Sequence, residues 1–371
     1  METKKYRFDE VTINFDKKRI PLSSAQREKR QGTFRYYGAQ GVIDHVDDYI
    51  FDGTYLLIAE DGENLKSKKQ NIAQVVDGQF WVNNHAHIVQ GNERCDTRFL
   101  CYLINSMDLS GYVTGSAQPK LSQANLNAIT LSLPTLVEQK RIVEYLYMLD
   151  QKIDVNRQIN DNLQQQAAAL FADFYDRAET EVGFTEIIQI LGGGTPKTGE
   201  SSYWNGNVPF FTPKDVGSPY TLATEKTITE EGLAHCNSRL YPINTVFVTA
   251  RGTVGKVGLP GVPMAMNQSC YALVGKDTHQ LLVYFYTLKA VDRLKHKASG
   301  AVFDAITTRD FESEIIMKLS DDDEKAFLDV AQPIYQAVLS NSIENLGLAA
   351  LRDSLLPKLM SGEIDASAVQ L

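Results

Sequence analysis

The chain repeats itself, and this limits its fold more than any single motif does. At an offset of about 185 residues, GSAQPKLSQANLNAITLSLP from Gly115 lies over SGAVFDAITTRDFESEIIMKLS, with Gly300 opposite Gly115. Upstream, WVNNHAHIV lies over AMNQSCYALV with Asn83 opposite Asn267, and DGTYLLIAEDG (Asp52–Gly62) is echoed by NTVFVTARG (Asn244–Gly252). Each match is weak alone, but their shared order and near-constant spacing make the halves copies of one unit. A chain of 371 residues has room for two such units, each with an ordinary core.

A helix start follows each copy. Thr135 with Glu138, and Ser320 with Asp323, set a hydroxyl at an N-cap and an acid three residues later. Both resemble a capping box, and the shorter aspartate reaches back less well. Long helical patterns come next. Ile142, Leu146, Leu149 and Ile153 step by four and three, and the frame resumes at Leu163, Ala167, Leu170 and Phe174. In the second copy Phe327, Val330, Ile334 and Ala337 step likewise, then Leu348, Leu351 and Leu355. Polar residues interrupt both frames midway: Asn156 and Asn160 in one, Asn341 and Glu344 in the other. Solvent-facing turns of two unrelated helices would read the same way. The preferred reading is an antiparallel coiled coil, with Asn156 and Asn341 meeting near a pseudo-twofold axis and helping to fix register. Helices of about 40 residues would be roughly 60 Å long. Pro333 should bend the second one near its start.

The fold class expected is therefore mixed α/β (α+β): two similar domains joined by two long antiparallel helices, with a pseudo-twofold internal repeat. Residues 1–134 form the first domain, 135–177 the first long helix, 178–319 the second domain and 320–365 the second long helix. Short β-branched and aromatic runs bounded by Gly, Asp and Asn predict strands at Thr54–Ala59, His87–Gln90, Thr245–Ala250 and Ser269–Val274. Short helices are expected at Thr97–Ser106 and Gln280–His296.

With 43% hydrophobic and 22% charged residues the composition is that of a globular protein. No apolar run reads as a signal peptide or a membrane span. Cys95, Cys101, Cys236 and Cys270 lie far apart without CxxC spacing, so reduced thiols in a cytoplasmic protein are expected. A net charge of −9 argues at first sight against a nucleic-acid partner. Its sign is segregated, however. Lys17 to Arg35 holds seven cations against one acid, KAVDRLKHK (Lys289–Lys297) is a second basic stretch, and acids gather in SDDDEK (Ser320–Lys325).

No constellation for chemistry emerges. RGTVGKV (Arg251–Val257) lacks phosphate-loop spacing and puts Val257 where Ser or Thr should follow the lysine, and LGGGTPKTG lacks the Gly-Lys-Ser/Thr ending. HAH at His85–His87 would set both imidazoles on one strand face, but with no third ligand no metal is expected. EQK (Glu138–Lys140) and DQK (Asp150–Lys152) lie on the predicted helix without the Pro-Asp partner of a nuclease. A Gly-x-Ser-x-Gly elbow and the Asn/Asp-Pro-Pro-Tyr loop of amino-methyltransferases are both missing.

What remains is TPKTGESSYWNGNVPFFTPKDV (Thr195–Val216), where aromatics alternate with lysines, asparagines and prolines. Such loops suit recognition: Asn and Gln pair with adenine, Arg and Lys with guanine, and backbone amides with phosphate. The candidate DNA-binding residues of the second domain are Lys197, Tyr203, Trp204, Asn205, Lys214, Asp215, Arg251, Thr253, Lys256 and Gln268. Those of the first are Arg30, Arg35, Tyr36, Tyr37, Gln40 and Lys120. Trp204 and Phe210 suit the core equally well.

LGGGTPKTGESSYWNGNVPFFTPKDV, followed by ARGTVGKVGLPGVPMAMNQSCYAL, resembles the target-recognition domain of the specificity subunit of type I restriction–modification systems. YYGAQGVIDHVDDYIFDGTYLLIAEDG and LPTLVEQKRIVEYLYMLDQKID resemble the first recognition domain of that family and the spacer helix after it. ALRDSLLPKLMSGEID (Ala350–Asp365) resembles its C-terminal helix end. KKRIPLSSAQREKRQG departs from the family's Gly-Gly-Thr-Pro opening. The resemblance implies a non-catalytic subunit that reads a bipartite, asymmetric site on double-stranded DNA. It implies two modification subunits that methylate adenine with S-adenosylmethionine, and restriction subunits that translocate and cut with ATP and Mg. The chain itself would hold no cofactor and touch no membrane. A free-standing nuclease or methyltransferase, and a protein–protein scaffold built on the coiled coil, are the alternative classes.

Overall fold

The computed structural model describes residues 2–67, 70–115, 118–217, 219–297 and 305–365. Gly300 and the repeat match around it, with Ser116 and Ala117, lie outside the described residues. The chain divides into two compact units, Met1–Gln151 with Leu348–Leu371, and Lys152–Gly347.

The first unit contains β1 (Lys4–Arg7), β2 (Thr12–Asn14), β3 (Gln31–Gly38), β4 (Gly41–Val46), β5 (Phe51–Asp52), β6 (Tyr55–Ala59), β7 (Ala73–Val76), β8 (Gln79–Val82), β9 (Ala86–Gly91) and β10 (Thr130–Leu133). They form sheets β2-β9-β6-β7 and β4-β3-β8-β5 and a ribbon β1-β10. The central strand β6 is apolar along its length because four successive residues, Leu56–Ala59, are buried. Both its faces are covered, so its sequence does not alternate. The helix Thr97–Ser106 opens on Asp96, whose carboxylate accepts from the Arg98 and Phe99 amides. It buries Phe99, Leu100 and Ile104 in the core that holds Leu56 and Ile58.

The second unit contains β11 (Thr180–Gly183), β12 (Ile188–Gly192), β13 (Trp204–Phe211), β14 (Tyr220–Thr221), β15 (Lys226–Ile228), β16 (Val246–Thr249), β17 (Val257–Pro260), β18 (Ala265–Met266), β19 (Cys270–Gly275) and β20 (Ile315–Lys318). Its sheets, β12-β19-β16-β17-β14 and β15-β13-β18 with the ribbon β11-β20, follow the plan of the first unit, and β13 pairs parallel with β18 as β3 does with β8. The repeat reaches individual hydrogen bonds. Asn83 N donates to Tyr37 O at 2.9 Å and Asn83 Oδ1 accepts from His85 N at 2.8 Å. Asn267 N donates to Phe211 O at 2.9 Å and Asn267 Oδ1 accepts from Ser269 N at 3.1 Å. Asn83 and Asn267 are thus equivalent positions in one fold, as are Tyr37 and Phe211.

The long helices run Leu136–Asp176 and Asp321–Ser361. At the first start the box closes: Thr135 N donates to Glu138 at 3.0 Å and Glu138 N to Thr135 Oγ1 at 3.4 Å. At the second, Asp323 N donates to Ser320 Oγ at 3.2 Å, while the shorter Asp323 carboxylate reaches the Ser320 hydroxyl at 2.9 Å instead of its amide. Within the second unit the helices run antiparallel, because partners descend along one as they ascend the other. Asn156 donates to Glu344 at 2.6 Å and Asn345 at 2.9 Å, Asn160 accepts from Asn341 at 2.8 Å, and Phe171 lies 5.4 Å from Phe327.

The asparagines do not interrupt the seam. Asn156 and Asn160 are 1% and 6% exposed, and they continue the four-three spacing from Ile153 to Leu163 and Ala167. Asn156 and Asn341 each bond across the seam to a different residue of the opposite helix. The frame expected for the second helix needs correction by one step. Its seam is Phe327, Ala331, Tyr335 and Val338, whereas Val330 and Leu351 are 49% and 47% exposed and Ala337 faces solvent. The cause is Tyr335, which packs 5.6 Å from Tyr284 and 5.7 Å from Phe285 on the helix Gln280–Lys297. Pro333 is exposed and the helix runs on through it.

Asn156→Leu alone leaves the Asn345 amide unpaired in the seam and is expected to cost about 1–3 kcal/mol. Replacing both Asn156 and Asn345 with leucine removes the orphan and is expected to restore or exceed wild-type stability. Urea midpoints of the full chain test this, and a single variant as stable as the double would contradict it.

Candidate nucleic-acid interface

In the second unit, strand pairing brings four loops to one sheet edge. Gly192 pairs with Tyr271, and Thr249 with Cys270, so the segments leaving β12 and β16 emerge where β19 begins. Phe211 pairs with Met266, which sets Thr212–Asp215 beside Asn267–Ser269. Backbone bonds join the set at its centre: Gly194 N to Met266 O at 3.1 Å, Asn267 N to Phe211 O at 2.9 Å, and Ala250 N to Ser269 O at 2.8 Å. The Thr195 hydroxyl bonds the Gln268 side chain. Two of the three glycines have a steric cause. A Cβ at Gly193 would sit 2.1 Å from Asn267 O, and one at Gly194 would sit 2.6 Å from Asn237 N.

The candidates on this edge fall into two groups. Lys197, Lys214, Arg251 and Lys256 are exposed, and among the described residues none has an ion pair or a side-chain hydrogen bond. Thr253 is exposed beside them, and Asn205 is exposed at a φ of 61°. The others serve the fold. Asp215 accepts from Thr212 N and Glu225 N, both at 2.8 Å, and so caps its own turn. Trp204 donates to Lys197 O at 3.2 Å, packs edge-on 5.6 Å from Phe210 and lies under Lys226. Tyr203 stacks on His235 at 5.0 Å. Beside Lys256 a cleft of about 490 Å³ is lined by Gly217, Gly255, Asp292 and Lys295. Lys295 belongs to the basic stretch Lys289–Lys297, and the fold brings it next to Gly255.

Most of the first unit's candidates are engaged within the unit. Tyr36 and Tyr37 are 0% and 5% exposed, so their reading as DNA contacts is corrected: they stand where the second unit buries Phe210 and Phe211. Arg30 pairs with Asp47 at 2.9 Å over the Trp81 ring, and Arg35 donates to Asp77 O at 2.6 Å. Gln40 donates to Asn64 at 3.2 Å, and Lys120 pairs with Glu60 at 3.3 Å. Of the basic run from Lys17 to Arg35, Arg19 and Arg27 are also ion-paired, while Lys17 and Lys29 are exposed without such a partner among the described residues. In the Lys289–Lys297 stretch Lys295 and His296 are exposed, but the other cations are engaged within the unit. Arg293 pairs with the buried Glu314 at 3.0 Å, Lys297 pairs with the same carboxylate, and Lys289 lies over the Tyr175 ring.

The loop edge of the first unit is tied together by buried charge. His87 is 1% exposed, with Nδ1 2.7 Å from Asp16 Oδ2 and Nε2 2.8 Å from Leu121 O. Both ring nitrogens face acceptors, an arrangement that favours the doubly protonated imidazolium. Burial alone would lower its pKa, but the Asp16 and Leu121 bonds and the nearby carboxylates outweigh burial and raise it. Asp16 also accepts from Ile88 N at 2.8 Å and pairs with Arg19 at 3.5 Å, and Arg19 reaches Glu60 at 3.0 Å. His85 turns instead to Asp61 at 2.7 Å, so the two imidazoles do not converge. Among the described residues no group of three His, Cys, Asp or Glu is placed to hold a metal ion.

Residues 2–165 and 180–324 each match the family described as type I restriction modification DNA specificity domain. The chain is 32% identical over 124 residues to the MjaIX specificity subunit of Methanocaldococcus jannaschii, covering 32% of this chain and 29% of that one. It is 23% identical over 401 aligned residues to the HindI specificity subunit of Haemophilus influenzae, covering 84% of each. It thus spans about a third of the length of several curated relatives that it matches. A type I restriction–modification S subunit of known structure, from M. genitalium, superposes with a TM-score of 0.59 at 13% identity, covering 97% of this chain and 96% of that one, and so shares its fold. One family is matched twice along a chain whose topology is itself duplicated: the protein belongs to the type I restriction–modification DNA specificity family.

Proposed function

We propose that this protein is the DNA-reading, non-catalytic subunit of a type I restriction–modification assembly, and that it recognises a split, asymmetric site on double-stranded DNA. The observation that carries this is the second unit's loop edge, where Lys197, Lys214, Arg251 and Lys256 stand exposed and, among the described residues, unpaired on a family fold that recurs in the first unit. Cations without internal partners suit phosphate, and Asn205, Thr253 and Gln268 nearby can donate or accept at base edges. The long helices would set the stride between the two halves of the site. Their exposed apolar side chains, Val155 and Ile159 on one and Ile343 and Leu346 on the other, would receive two modification subunits. Restriction subunits would join that complex. S-adenosylmethionine, ATP and Mg would be held by those partners. Among the described residues no helix is long and apolar enough to cross a membrane, and a cytoplasmic location is part of the proposal.

The test is selection from random duplexes by the chain co-purified with its modification subunits. The expected result is enrichment of one split motif, with adenine methylation at that motif in the host and its loss on deletion of this gene. Recovery of unselected sequence would overturn the proposal, and methyl transfer from S-adenosylmethionine to adenine by the isolated chain would favour the free-standing enzyme.

A further inference from the structure

We infer that the two recognition units grip DNA unequally through these candidate cations: Lys197, Lys214, Arg251 and Lys256 of the second unit are its phosphate-holding set, while the first unit's Arg30, Arg35 and Lys120 hold the fold and leave it Lys17 and Lys29 as exposed cations of its basic run. This rests on the DNA-reading function proposed above. Two independent observations support it, one of pairing and one of position.

The first is where each charge goes. Arg30, Arg35 and Lys120 end on Asp47, the Asp77 carbonyl and Glu60. A guanidinium or ammonium already bonded to its own fold has fewer free donors for a phosphate, and one beside a carboxylate also offers it less net charge. The four cations of the second unit have no such contact among the described residues. Binding DNA therefore costs them no internal partner.

The second is a reversal of charge at one place in the fold. After β6 comes Glu60-Asp61-Gly62, and after β16 comes Ala250-Arg251-Gly252. The two loops are anchored by equivalent bonds. Glu60 N donates to His85 O at 2.9 Å, and Ala250 N to Ser269 O at 2.8 Å. Asp61 forms an isolated bridge with Lys120, and Arg251 forms one with Ala305. Gly62 and Gly252 both have positive φ, 124° and 81°. At the same turn, then, the first unit presents a carboxylate and the second a guanidinium. The carboxylate there is held by His85 at 2.7 Å, so at this turn the first unit has an engaged acid where the second has a cation, unpaired among the described residues, to offer phosphate. Arg251 suits the backbone, and Lys256 stands at the far end of its loop, beside the cleft that also holds Lys295.

The experiment uses the chain co-purified with its modification subunits and a mixed-sequence duplex as probe. Nonspecific binding to such a probe is electrostatic, and log affinity falls with log salt by about 0.9 per phosphate held. The variant K197Q/K214Q/R251Q/K256Q is expected to lower that slope by about 3 to 4. R30Q/R35Q/K120Q is expected to change it by less than about 1. Equal losses from the two sets, or none from the second-unit set, would overturn the inference. Unchanged thermal midpoints of the second-unit set, whose side chains are exposed, show that any loss is not misfolding. A wild-type complex that fails to bind the duplex even at low salt would sink the DNA-reading proposal itself, a result distinct from unequal grip failing.

Discussion

Asp16→Ala is expected to destabilise the first unit by about 3–5 kcal/mol, the cost of leaving a buried charge without its partner. Asp16 is 8% exposed and His87 1%, and the substitution strips the imidazolium of its closest counter-charge and the Ile88 amide of its acceptor. The chain has two tryptophans, and each unit contains one, Trp81 and Trp204. In a Trp204→Phe background, Trp81 emission during urea unfolding of the full chain therefore reports the first unit. The pH dependence has a definite sign. The His87 pKa is raised in the fold, so its contribution is fully present below its unfolded value near 6.5 and is lost as pH rises through the folded value. The Asp16 pKa is lowered: burial pushes it up, but the bonds from His87 and Ile88 and the charges of His87 and Arg19 prevail. Its contribution is present above about 3.8 and is lost as pH falls through the folded value. Wild-type stability of this unit should peak between those limits and decline toward alkaline pH, and the variant should lose the alkaline decline. A wild-type midpoint that climbs steadily from pH 6 to 9, roughly the range in which a neutral buried ring would be favoured, would refute the imidazolium.

That ion node also shows where sequence reading stopped. Secondary structure was legible because it is local: short β-branched and aromatic runs bounded by Gly, Asp and Asn placed β6, β9, β16 and β19, and the helix expected at Thr97–Ser106 has those bounds. The duplication was legible from Asn83 and Asn267, whose side chains bond alike in the two copies. Charge was not legible in this way. Between Lys17 and Arg35 only one acid is in view, yet Arg19, Arg27 and Arg30 meet Glu60, Asp44 and Asp47, which the fold brings in from later strands and turns. Tyr36 and Tyr37 misled for a related reason. An aromatic beside basic residues looks like a DNA contact until strand pairing shows that β3 turns both rings into cores. The second long helix misled by one step, because Tyr335 answers to Tyr284 and Phe285 on another helix and not to its own heptad.

Arg293→Ala is expected to cost the second unit about 2–3 kcal/mol, at or below the lower end of the range for breaking a buried pair, because the Arg293 side chain is itself 36% exposed and Lys297 still faces Glu314. Glu314 is 1% exposed, and Arg293 also donates to Tyr175 Oη at 2.9 Å and to Ile315 O at 2.7 Å. One guanidinium thus ties the helix Gln280–Lys297 to β20 and to the end of the first long helix. Arg293→Lys should recover only part of the loss, since a single ammonium cannot serve three acceptors set around a planar fork. Lys297→Ala should cost less than Arg293→Ala, because its side chain is 61% exposed and is largely screened by solvent. Trp204 emission in a Trp81→Phe background reads each loss. The series also decides what this basic stretch is for. If Arg293 holds the fold, its removal lowers the unfolding midpoint and leaves the salt slope of DNA binding unchanged in the protein that remains folded. If it holds phosphate, the slope falls by about 1 while the midpoint stays in place. Glu314, buried beneath it, favours the first outcome: an arginine withdrawn to DNA would leave that carboxylate in the core with Lys297 alone.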